Sequence, residues 1–146
     1  MDRRTFIRKS CFSCGMLAGT GTLMTMLESC NSLSFIQAEP ENDRIVIPES
    51  AFLQDETMKI VRSASLKYDV LLLKEPEGRY KALFLKCTHI GNPLLPDKKG
   101  VSCNLHGSRF DLDGKVTQGP ALRDLVRFKV ETEQQNIVIF INENRN

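Results

Sequence analysis

Two cysteines and the chain's only two histidines fall together twice. Cys87 is followed two residues later by His89, and Cys103 three residues later by His106. Thirteen residues separate the halves, giving C-x-H, a spacer, then C-x-x-H. Thiolate and imidazole are both metal ligands, and three chemistries fit four such donors. They could form a structural zinc site, or Cys87 and Cys103 could close a disulfide beside two unliganded histidines. They could also hold a binuclear iron–sulfur centre, thiolates on one iron and imidazoles on the other. That division lowers the negative charge at the imidazole iron, so an added electron is better tolerated. It raises the reduction potential into a range of about −150 to +300 mV. The single-residue spacing of the first half and His106-Gly107-Ser108 after the second favour iron. Ser108 is no nucleophile, because no third histidine exists to activate it.

Such donors must be presented by loops, and the flanking sequence supplies them. Leu83-Phe84-Leu85 precedes the first half and Val101 the second; Gly91-Asn92-Pro93 and Gly107 follow them. Each half therefore reads as a tight turn at a strand end. Glycine at 91 and 107 lets backbone approach the inorganic sulfides without a Cβ. The rest of the body continues in the same style. Apolar runs of strand length occur at Ile45-Val46-Ile47, 58–61, 70–73, 82–85, 125–130 and 137–141. Turn formers separate them at 75–78, 97–100 and Asp113-Gly114, the last a hairpin signal. No long helical period interrupts the pattern. The expectation is an all-β fold, an antiparallel β sandwich or small barrel. Tyr68 and Tyr80 are expected in strands, as packing residues.

The stretches C-T-H-x-G at 87–91 and C-x-x-H-G-S-x-F at 103–110 closely resemble the Rieske signature. The likeness covers roughly the whole body and is strongest from Cys87 to Leu122. It implies one [2Fe–2S] cluster per chain, with Cys87 and Cys103 on one iron and His89 and His106 on the other. The imidazoles would bind through Nδ1 and leave their opposite nitrogens at the surface, where redox partners or quinol dock. Ser108 matches a serine that donates to a bridging sulfide, and Gly119-Pro120-Ala121 resembles the proline loop that shields the cluster. The resemblance also implies a Rieske-like fold with a cluster-binding subdomain of two loops at about 84–121. Three departures matter. Respiratory and photosynthetic members tie the two loops by a disulfide, but those positions hold Asn92 and Leu105 here, as in Rieske ferredoxins and oxygenase domains. The thirteen-residue spacer is slightly short. Phe110 replaces a tyrosine whose hydroxyl donates to a cysteine sulfur. Fewer donors leave more negative charge on the cluster, so its potential should lie below that of quinol-oxidising members.

The N-terminus reads as an address. Arg3-Arg4, one spacer and Phe6-Ile7-Arg8 resemble a bacterial twin-arginine export signal, with a mild apolar stretch from Cys11 to Leu27. The plainer reading is a basic amphipathic start to a cytoplasmic protein. Eighteen uncharged residues between Lys9 and Glu28 reach the lower limit for a membrane anchor. Leu27-Glu28-Ser29-Cys30 resembles a lipobox, although Glu28 departs from it; lipid on Cys30 would hold the mature chain at a membrane. Otherwise Cys30 is apolar filler, as Cys11 and Cys14 are read to be. The layout expected is therefore signal at 1–30, a polar tether at 31–43 and a Rieske domain at 44–146.

Composition excludes more than it selects. Hydrophobic residues make up 41% and charged residues 26% of the 146, ordinary for one globular domain. A net charge of +2 offers no nucleic-acid surface. Twin-arginine export carries folded proteins, which a cluster assembled in the cytoplasm requires, so address and site support each other. The expected role is one-electron transfer outside the cytoplasm, on the periplasmic face of a bacterial membrane. The chain would act as a carrier or oxidoreductase subunit rather than a stand-alone enzyme. Its partner would be a cytochrome, a quinol-oxidising complex or an oxidase large subunit. Alternatives are the Rieske subunit of a quinol–cytochrome c reductase, the small subunit of a periplasmic molybdenum oxidase such as arsenite oxidase, and a structural zinc module.

Overall fold

The apolar runs pair as strands, and which faces they bury explains their sequences. The computed structural model describes residues 33–145. The arginine pair, Cys11, Cys14 and Cys30, with the signal, anchor and lipid readings placed on them, lie outside the described residues. Among the described residues no helix is long and apolar enough to cross a membrane.

Among the described residues eleven strands follow in order: β1 Phe35–Gln37, β2 Arg44–Pro48, β3 Met58–Arg62, β4 Val70–Lys74, β5 Tyr80–Phe84, β6 Leu95–Asp97, β7 Gly100–Ser102, β8 Arg109–Phe110, β9 Val116–Gln118, β10 Arg127–Glu133 and β11 Asn136–Arg145. Seven form one sheet in the order β1-β3-β4-β5-β10-β11-β2; β6 to β9 form a second, smaller one. The all-β expectation holds. Every pair is antiparallel except β1 with β3, which run parallel at the edge of the large sheet.

Strand β2 alternates, burying Ile45 and Ile47 and exposing Val46, as a strand with one wet face does. Strand β4 is apolar without alternation because both of its faces are covered. Val70 and Leu72 join a core with Ile45, Ile47, Phe128, Ile137 and Ile139. Leu71 and Leu73 point the other way, into a core with Leu94, Val101, Phe110, Ala121 and Leu125. Strand β5 divides likewise, Ala82 to the first core and Leu83 to the second. Strands from both ends of the large sheet share the first core, so that sheet curls on itself. The small sheet packs on the outer face of β4 and β5, and the second core lies between them.

Two expectations are corrected. Part of the tether at 31–43 is a packed element: Phe35, Ile36 and Gln37 pair with Ile60, Val61 and Arg62. Beyond it, the Glu39 carboxylate accepts from the Ala64 and Ser65 N–H groups and from the Ser63 and Ser65 hydroxyls. Polar residues and Pro40 hid a short strand that binds through its backbone pairing with β3 and through Ile36, which packs against the first core. Tyr68, expected in a strand, sits in the bend before β4.

Candidate metal centre

Chain direction reverses twice at one end of the second core, and the two reversals are built alike. The first, Cys87 to Asn92, leaves β5 and is closed by an antiparallel bridge between Lys86 and Pro93. The second, Cys103 to Ser108, joins β7 to β8 and is closed by Ser102 against Arg109. In the first, the Cys87 N–H donates to Asn92 O at 2.8 Å and the Gly91 N–H to Cys87 O at 2.8 Å. In the second, the Cys103 N–H donates to Ser108 O at 2.9 Å and the Gly107 N–H to Cys103 O at 3.0 Å. Gly91 and Gly107 share a left-handed backbone, φ 80° and 79°, which glycine enters without steric cost. A Cβ on Gly91 would also come within 3.3 Å of Lys86 Cε. The two six-residue loops thus repeat each other hydrogen bond for hydrogen bond.

The donors the sequence singled out all project from these loops. Cys87 and Cys103 are unpaired thiols, 1% and 2% exposed, within the second core. A disulfide between them is not formed. His89 and His106 are exposed, with ring centroids 5.1 Å apart and planes at 83°. They are not equivalent in the repeat: His89 is the third residue of its loop and His106 the fourth of its own. The residues that occupy the matching places are Leu105 and Ile90, 59% and 58% exposed. So the site has a dry sulfur side and a wet nitrogen side rimmed by apolar residues.

Two neighbours, Tyr68 and Gln118, were not legible as site residues. The Tyr68 hydroxyl donates to Gly91 O, and Gln118 Nε2 donates to Gly107 O at 3.0 Å. Each glycine carbonyl is thereby held by a side chain from another segment. Residues 119–123 lie across both loops: the Ala121 N–H donates to Ser108 Oγ at 3.1 Å, and Thr88 Oγ1–H to Arg123 O. Ser108 itself is fully buried. Leu122 at the crest of this segment is 93% exposed. Tyr68 is a positioning residue rather than packing alone; only the distance between 68 and 91 along the chain concealed it. Phe110 is buried in the same core as both cysteines.

Does this arrangement fit a metal group? Among the described residues, no three His, Cys, Asp or Glu side chains are gathered round one ion-sized point. A binuclear group would ask instead for two thiolates and two imidazoles rather than one ion-sized cage, and here the two cysteines are buried while the two histidines are exposed with their rings side by side. Asn92 Nδ2 adds a second observation. Among the described residues it is the buried side-chain nitrogen or oxygen with no hydrogen-bond partner, and it lies in the first loop.

Comparison with known proteins agrees with the geometry. Residues 44–142 match the model of the Rieske [2Fe-2S] domain. The cytochrome b6-f complex iron-sulfur subunit of Chlorobaculum tepidum is 25% identical, the match covering 96% of this chain and 76% of that one. Apoptosis-inducing factor 3 of Mus musculus is 31% identical over 83 residues; the match covers 54% of this chain but only 14% of the mouse protein's length. Among solved structures, the cyanobacterial plasma membrane Rieske protein PetC3 from Synechocystis superposes with a TM-score of 0.53. It is 27% identical, and the match covers 64% of this chain and 96% of that one.

Proposed function

The chain belongs to the Rieske [2Fe-2S] domain family, whose members bind one [2Fe–2S] cluster; on that premise we propose that it is an electron carrier in which Cys87 and Cys103 hold one iron, and His89 and His106 the other. Bound there, the cluster supplies a one-electron couple. The chain's residues do the rest. The two cysteines keep the sulfur side out of water, where charge on the thiolates is felt most strongly. The two imidazoles bring the other side to the surface. Ser108 and the 119–123 segment close the flank between them.

One observation carries the reading: both histidines emerge at the surface inside a rim of exposed Ile90, Leu105 and Leu122, while both cysteines are buried. An exposed apolar rim marks a contact surface. His89, Ile90 and Leu122 also line an open groove of about 940 Å³, with Lys86, Lys115, Arg123 and Arg127 on its walls against one acid, Asp124. A protein partner with an acidic face suits it, because complementary charge steers encounter. This is a surface for meeting a redox protein rather than an enclosed substrate pocket.

The carrier works outside the cytoplasm, sent there by the Arg3-Arg4 signal and kept at the periplasmic face of a bacterial membrane by lipid on Cys30 or by the signal itself. A second reading, a subunit of a quinol-oxidising complex, is favoured by the relative in Chlorobaculum tepidum, which is a cytochrome b6-f complex iron-sulfur subunit. Asn92 and Leu105, where a loop-tying disulfide would stand, favour the carrier. Low-temperature EPR of reduced, washed membranes from expressing cells tests the proposal. The expected result is a rhombic signal of a histidine-ligated cluster that leaves the membrane fraction when Arg3 and Arg4 are both replaced by Lys. Purified protein that stays colourless and free of iron and acid-labile sulfide after reconstitution would sink it.

A further inference from the structure

Asn92 and Ser108 each end their loop, and each accepts its own cysteine's N–H through its backbone oxygen. Their side chains therefore start from equivalent places beside a cysteine. Ser108 Oγ accepts from the Ala121 N–H, which leaves its own hydroxyl proton to be given elsewhere. Asn92 Nδ2 carries two N–H bonds, is buried, and finds no oxygen or sulfur of the protein to accept from it. Three carbonyls of the loop are already committed: Cys87 O to the Gly91 N–H, Asn92 O to the Cys87 N–H and Gly91 O to Tyr68. Buried amide donors are nearly always satisfied, so an orphan here calls for an acceptor the polypeptide does not contain.

Resting on the family assignment and the ligand set above, we infer that Asn92 Nδ2 donates a hydrogen bond to an inorganic sulfide of the cluster, on the face opposite the one Ser108 serves. The repeat relates the two loops, so a donor at the end of one has its counterpart at the end of the other. A donor on each side balances the cluster. Because reduction adds negative charge to the sulfides, an N–H aimed at one of them stabilises the reduced form and raises the potential. Asn92 is thus a positioning and tuning residue, not a ligand.

The test is protein-film voltammetry of the holoprotein and its Asn92→Leu variant, with iron and acid-labile sulfide assayed on both. Leucine keeps the volume and removes the donor. The variant should keep its cluster and lose about tenfold in the reduction equilibrium, which for one electron is about 59 mV downward. Ser108→Ala should shift the same way, and the double variant by the sum of both. A fully loaded Asn92→Leu protein with an unchanged potential overturns the inference. Should that variant assemble no cluster, pulsed EPR decides on reduced protein carrying 15N at asparagine side-chain amides, with the exposed Asn104 replaced by Ala. A weak 15N coupling, separate from those of the 14N imidazoles and backbone amides, supports the role, and its absence overturns it. Wild-type protein without iron or sulfide would instead strike the ligand assignment itself.

Discussion

At the scale of single residues, the site is read through what surrounds each sulfur. Phe110 is buried among the groups that hold Cys87 and Cys103, and its ring offers no donor. Phe110→Tyr adds one hydroxyl to that place. A buried hydroxyl needs a partner, and a cysteine sulfur is the acceptor that would gain most from it once reduced. The variant should therefore show a higher reduction potential than wild type, by about one tenfold step in the equilibrium, in voltammetry of fully loaded protein. A potential that is unchanged or lower would contradict the account of tuning by donors. The four ligand candidates were legible because cysteine and histidine are scarce in the body and fall in pairs. Tyr68, Gln118 and Asn92 were not. Their importance lies in where a neighbouring carbonyl or an empty acceptor position comes to rest, and no local pattern announces that.

At the scale of elements, the first strand is held by electrostatics as much as by pairing. N–H groups of Ala64 and Ser65 and the hydroxyls of Ser63 and Ser65 surround the Glu39 carboxylate and hold its pKa down to about 2 from 4.5. Lys59, Ser34 and the Leu53 N–H do the same for Glu56, also to about 2. The folded state thus keeps these groups ionised where the unfolded chain would protonate. Their contribution is complete above the unfolded value and is lost as pH falls through the folded one. Melting temperature should drop between about pH 5 and pH 2, and Glu39→Gln should melt lower at neutral pH with a shallower drop in that window. An equally steep drop in the variant would show that Glu39 is not among the groups responsible. The same strand explains what sequence reading missed. Runs such as Val70–Leu73 and Ile137–Ile141 announce themselves through apolar side chains. Phe35–Gln37, Leu95–Asp97 and Arg109–Phe110 are two or three residues long and half exposed, too short for alternation to be seen.

At the scale of the whole molecule, β4 and β5 are a wall shared by two cores. One core contains none of the ligand candidates; the other contains both cysteines. On the proposed ligand set, ligand bonds exist only when the loops are in place, so binding would stabilise the second core directly. Stripping the metal by acid and chelator should lower the melting temperature and raise hydrogen exchange across 86–122. Exchange at 45–47 and 137–140 should stay slow, because the first core remains closed. Uniform loss of protection, measured by mass spectrometry on apo and holo protein, would mean that the two cores do not open separately.

The matched ties on the two loops have one more consequence. Each cysteine's N–H, each cysteine's carbonyl and each glycine's carbonyl are already occupied before any electron arrives. With the ligands as proposed, the frame around the centre has little room to rearrange when charge comes or goes, and the readjustment would fall mainly to water at the two exposed imidazoles. A docked protein expels that water. Contact with a partner would then do more than shorten the path: it would make the centre faster in both directions just when an exchange is possible, and sluggish toward stray oxidants at other times.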